Sequence, residues 1–217
     1  MSPIEPKELL QALEKASWDV AYRTYGSSHA TWIGLLVEWW IRLQPASHSV
    51  LDGVPSFGKG RVGQGDAVFC DAGQPVGVLE VEGSAPADKI WTIEQYFKTR
   101  RPELQSIWFG MLLLYSYEPR GAGEARRFPV AEEPKVMRVA RQMSAKFPDH
   151  AVVVLALDKA FGRHQGVRGT SVYYSGTLAQ VTGVLLQGGQ ECERRVLFRM
   201  PSSNPPSQAM GRAGART

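Results

Sequence analysis

The sequence predicts an α/β protein, a mixed central β-sheet flanked by helices. Three observations carry this reading. Ser106 to Tyr115 and Ala151 to Leu157 are short, continuous apolar runs, the pattern of strands buried on both faces. Each run follows a stretch with helical spacing, Pro86 to about Thr99 and Glu132 to Phe147. Ahead of them, Ala67 to Glu82 reads as strand, turn, strand. Strands alternating with helices build a sheet with helices on its faces, and right-handed crossovers place the two apolar runs in parallel.

From the N-terminus, Pro6 to Tyr25 has an apolar side at helical spacing, and Gly26-Ser27-Ser28 is a stop followed by a new cap. A second helix is expected from about His29 to Leu43. It is apolar almost all round and so buried on most sides, or packed on a partner copy in a homodimer. Its exception is Glu38, which either pairs with Arg42 at i+4 or turns toward a polar site. Pro45 to Gly65 is loop-like. It contains Lys59 and Arg61 among glycines, but no Gly-Lys-Ser/Thr opens a helix there, so it is not a phosphate-binding Walker loop. Phe161 to Gly169 reads as a glycine-rich loop carrying Arg163, His164 and Arg168. Strands are expected at Ser171–Tyr174, Val181–Gln187 and Arg195–Met200.

The chain has 217 residues, enough for one domain with a substantial core, expected over residues 1–200. From Pro201 to Thr217 core formers are nearly absent, as in a disordered tail. Net charge is +4, from 25 basic and 21 acidic residues, which permits an anionic partner without demanding one. Two cysteines with no CxxC argue against a disulfide framework or a zinc site and suit a reducing cytoplasm. No run is long enough to cross a bilayer, so no membrane partner is expected.

Chemistry concentrates in the hairpin. Strand alternation puts Glu80 and Glu82 on one face, and Asp66 shares a face with Val68 and Cys70. An odd-numbered loop brings the two carboxylate faces together. An even loop, with Ala72-Gly73 alone at the tip, slips the register and sends Asp66 away. Gly73 suits the left-handed position of a three-residue loop and favours the odd case. Three converging carboxylates repel one another unless a cation neutralises them, and hard oxygen ligands suit Mg²⁺ or Mn²⁺. The alternative is a hairpin edge with its acids turned to water.

Asp66, then Glu80-Val81-Glu82 on the next strand, then a helix with Gln95-Tyr96, then a buried strand, resembles the PD-(D/E)xK nuclease superfamily in its ExE variant. Glu38 on the preceding helix belongs to the same pattern, and the resemblance covers roughly Gly26 to Leu157. Gly65 stands where the pattern has Pro, and Glu82 where it has Lys. The resemblance implies a restriction-endonuclease-like fold and metal-dependent phosphodiester hydrolysis of nucleic acid, DNA before RNA, of restriction or repair type. It implies Asp66, Glu80 and the Val81 carbonyl as ligands of Mg²⁺ or Mn²⁺, with Glu82 and Glu38 completing the catalytic set. Either Glu82 handles the water, or Lys59 or Lys89 moves into the lysine's role, or the protein is an inactive nuclease fold that binds nucleic acid or protein. Lys59, Arg61, Lys89, Gln95, Arg163, His164 and Arg168 are the implied nucleic-acid contacts, with Arg120, Arg126 and Arg127 as further candidates.

Overall fold

A computed structural model of the chain describes residues 4–19, 29–43, 46–51, 54, 56–57, 63–83, 86–115, 133–165 and 172–200. One seven-stranded sheet runs in sequence order: β1 (Ser47–Val50), β2 (Ala67–Asp71), β3 (Gln74–Glu82), β4 (Phe109–Leu114), β5 (Ala151–Gln165), β6 (Val172–Gln187) and β7 (Gln190–Arg199). β3, β4 and β5 are parallel to one another, and every other neighbouring pair is antiparallel. Among the described residues four α-helices flank it: α1 (Pro6–Leu13), α2 (His29–Leu43), α3 (Pro86–Lys98) and α4 (Glu133–Lys146). The β3–β4 connection contains α3 and the β4–β5 connection contains α4. This is the mixed, helix-flanked sheet that the alternation of elements predicts.

The sheet divides the core. Leu79, Val81, Met111, Leu113, Val153 and Leu155 pack with α1 and α2 on one face. Val78, Leu112, Leu114, Val152 and Val154 pack with α3 and α4 on the other. Both faces are dry, which is why the central strands are apolar without alternation. α2 is fixed to β2 by its aromatic residues. Trp40 Nε1 donates to the Cys70 carbonyl at 2.8 Å, and its ring lies 5.2 Å from Phe69 and 5.7 Å from Phe109.

The hairpin loop is even, which corrects the odd-loop expectation. Asp71 pairs with Gln74, and Ala72 and Gly73 form a two-residue turn with φ of 48° and 78°, the twisted geometry that tight hairpins prefer. Further down, Phe69 pairs with Gly77 and Ala67 with Leu79, so the register has shifted by one between Cys70 and Phe69. Val76 is the extra residue of a β-bulge. Its carbonyl accepts from Trp108 N–H at 2.9 Å. The bulge undoes the slip that the even loop introduces.

Other boundaries also move. The first helix ends at Leu13, short of Tyr25, where Trp18 Nε1 folds back onto the Leu13 carbonyl at 3.0 Å. The loop-like stretch after Pro45 contains β1, which pairs with β2. Phe161–Gln165 belongs to β5 and is not loop, and the strands expected at Ser171–Tyr174 and Val181–Gln187 are one strand, β6. The last strand starts at Gln190, before Arg195. The expected tail from Pro201, and Arg120, Arg126 and Arg127, lie outside the described residues. Among the described residues no helix is long and apolar enough to cross a membrane.

Gly77 sits at the bulge with the Phe109 ring directly over it, and a Cβ there would overlap that ring. Phe109 is fully buried and held by Trp40, Phe69 and Trp108, so it has no room to yield. Gly77→Ala is therefore expected to lower unfolding free energy by about 1–3 kcal/mol, measured by urea denaturation.

Candidate functional site

The carboxylates lie at the C-terminal end of β3, where β2 has ended and the edge of β3 is open. In α/β sheets this end of the parallel strands is where ligands are received. Asp66 precedes β2 directly. Its N–H donates to the Leu79 carbonyl at 2.9 Å, and its Oδ2 accepts the Val81 N–H at 2.7 Å. The side chain thus caps the β3 amide left unpaired when β2 stops. The segment before it is held by Tyr96 of α3, whose hydroxyl accepts the Gly65 N–H at 3.2 Å. Burial pushes the Tyr96 phenol up to about 12, with Glu80 and Asp66 adding to the shift against the Gly65 amide.

Glu80 shares the Val78 face and is fully buried, with 0% of its surface exposed. Neither carboxylate oxygen has a hydrogen bond of good geometry. Its partner is the ammonium of Lys89, from the first turn of α3, 3.0 Å from Oε2. Burial raises the Glu80 carboxyl to about 8. Lys89 opposes this, while Asp66 and Glu82 reinforce it. Burial works against the charge on Lys89, but Glu80, Asp66 and Glu82 outweigh it and hold its pKa above the ordinary value. Asp66, Glu80, Glu82 and Lys89 therefore share one electrostatic environment. Glu82 is partly buried, and its Oε1 accepts the following Gly83 N–H at 2.7 Å.

His29 is the residue that sequence reasoning missed. It opens α2, and its Nε2 stands 3.3 Å from Asp66 Oδ2. The hydrogen bond to Asp66 raises its pKa against partial burial, helped by the Asp66 charge and the Val81 backbone. The only clue in the sequence is a polar ring at the start of an otherwise apolar helix.

Glu38 is not brought here, which corrects its expected place in the site. It lies nine residues beyond His29, about 13 Å along the helix. It is 55% exposed and ion-paired with Arg42, the i+4 alternative. Gln95 is half-buried on α3, less than two turns beyond Lys89 and on a different side of the helix. Lys59, Arg61 and Arg168 lie outside the described residues. The ends of the Lys59 and Arg61 segment are tied down. Gln64 Nε2 donates to the Val54 carbonyl at 2.9 Å, and Phe57 packs on Tyr96 at 4.9 Å with Arg101 over its ring at 5.0 Å. Arg163 and His164 occupy β5 opposite Tyr174 and Tyr173.

Among the described residues no three His, Cys, Asp or Glu side chains converge as a ready-made metal cage. Two carboxylates and the Val81 carbonyl remain, with a buried acid whose oxygens lack directed donors. Such a set fits Mg²⁺, which takes one or two carboxylates and fills its remaining positions with water and phosphate. No protein-family model, curated protein or solved structure matches this chain.

Of the site's groups that titrate between pH 4 and pH 8, two bind protons more tightly in the fold than when unfolded, and both act in one direction. Glu80 favours its protonated form up to about 8, and His29 is raised above its ordinary value. Each contribution is complete below the unfolded pKa and lost as pH rises through the folded one. Without metal, stability is expected to fall from pH 5 to pH 8. Glu80→Gln should flatten that decline, raising Tm at pH 8 by about 2–4 °C for each kcal/mol relieved. Thermal denaturation in EDTA across this range measures it.

Proposed function

We propose that the protein is a divalent-metal-dependent nuclease that hydrolyses phosphodiester bonds, with a restriction-endonuclease-like arrangement of its sheet end. One observation carries the reading. A fully buried glutamate, compensated by a single lysine, lies beside an aspartate fixed to the adjoining strand amide. A purely structural carboxylate at this depth would be surrounded by hydrogen-bond donors.

Asp66, Glu80 and the Val81 carbonyl would hold Mg²⁺ or Mn²⁺. Bound there, the ion lowers the pKa of a coordinated water and offsets charge on the scissile phosphate. The Val81 N–H pre-orients Asp66. Lys89 takes the role of the lysine missing from the second strand. Released from Glu80, its ammonium faces the phosphate oxygens as a point charge. Glu82 would add to the local field, and His29 would hold Asp66 in place through its Nε2. Water would add to phosphorus as the ester P–O bond breaks, its proton passing to solvent and the departing oxygen taking one from solvent.

A nucleic-acid or protein binding module without turnover is the second reading, favoured by Lys89 already standing 3.0 Å from Glu80 Oε2. A plasmid-nicking assay separates the two. Mg²⁺ or Mn²⁺ should support cleavage, EDTA should end it, and Glu80→Gln and Lys89→Met should each lower the rate about 10²–10³-fold. Plasmid left intact under every metal would remove the hydrolytic reading. Independently, a divalent ion at 100 times its Kd should stabilise the fold by about 2.7 kcal/mol through linkage, read as a rise in Tm that Asp66→Asn removes.

A further inference from the structure

β5 and β6 do not stop with the rest of the sheet. Glu82 of β3, Leu114 of β4 and Ala156 of β5 stand in one row across three parallel strands, and β5 runs on to Gln165. From Lys159↔Leu178 to Gln165↔Val172 it pairs with β6, past the last β4–β5 pair at Leu114↔Ala156 and the last β6–β7 pair at Gln180↔Arg199. Seven such pairs at about 3.3 Å per residue make a two-stranded ribbon roughly 20 Å long. Because β3, β4 and β5 are parallel, the ribbon leaves the sheet at the end that carries Glu80 and Glu82. A register shift between Asp158 and Lys159 marks its root.

The sequence of this ribbon is one-sided in charge. On its described residues, 159–165 and 172–178, it carries Lys159, Arg163 and His164 and no Asp or Glu. A cationic two-stranded ribbon beside a phosphodiester site has a matching receptor. The major groove of B-form DNA is about 12 Å wide and admits such a ribbon. The major groove of A-form RNA is deep and narrow and does not.

We propose that the β5–β6 ribbon is a docking arm that enters the major groove of B-form DNA and presents the backbone to the Asp66–Glu80 end of the sheet. The proposal rests on the hydrolytic reading for what the sheet end does, and on the ribbon alone for what is bound. Its test is a binding measurement in EDTA, so no turnover enters. Fluorescence anisotropy is compared for duplex DNA, duplex RNA and single-stranded DNA of one length, over a series of salt concentrations.

Duplex DNA should bind most tightly. Lys159→Gln/Arg163→Gln should lower the slope of log affinity against log salt by about 2 and abolish the preference for duplex DNA. Replacing residues 161–176 by a two-residue Asn-Gly turn should do the same. If that variant does not fold, the double substitution decides. Duplex RNA bound as tightly as duplex DNA, or a double variant with unchanged affinity and slope, would overturn the proposal. If duplex DNA binds through the ribbon but is never cut, the arm stands and the hydrolytic reading fails. If DNA is cut while the ribbon variants bind and cut like the wild type, the arm fails and the hydrolytic reading stands.

Discussion

A carboxylate without solvent contact at the end of a central strand is the constraint on which the candidate site depends. Glu80 has Leu112 beside it on β4 and α3 above it. Keeping its charge there requires an opposite charge at short range. α3 begins close to the end of β3, so its first turn can deliver Lys89. Tyr96, further along the same helix, holds the strand that brings Asp66. One short connection therefore places both the compensating cation and the second acid.

The same end of the sheet shows why loop length alone did not determine the face of Asp66. The turn is the two-residue one, which by simple alternation sends Asp66 away from Glu80. Val76 restores the register because Gly77 lets the Phe109 ring lie against the backbone and Trp108 takes up the Val76 carbonyl. Those partners are more than thirty residues away in the chain. The acids and the strand order were legible in the hairpin itself; the bulge that relates them was not. The result also differs from the expected picture in kind, since among the described residues a lysine and a histidine pair with the acids where a three-carboxylate cage is expected.

Glu38 and His29 illustrate a second limit. Both lie on one helix, and the apolar stripe identifies that helix without saying which end approaches β3. Trp40 and Phe69 fix the C-terminal half of α2 over β2, which leaves its first residue near Asp66 and turns Glu38 out to Arg42. The glycines of Phe161–Gly169 misled for another reason. They carry the composition of loop punctuation, but Gly162 is a strand residue opposite Ser175. The two central apolar strands, buried on both faces, were the most legible elements because burial on both sides leaves little freedom in composition.

The account turns on Glu80 being an acid held in reserve for a cation. The most direct measurement is the carboxyl titration of Glu80 by carbon-13 NMR, in EDTA and again with saturating Mg²⁺. The account predicts a midpoint near 8 without metal, falling below the ordinary carboxylate range when Mg²⁺ is present. A midpoint in the ordinary range that Mg²⁺ leaves unmoved would contradict it.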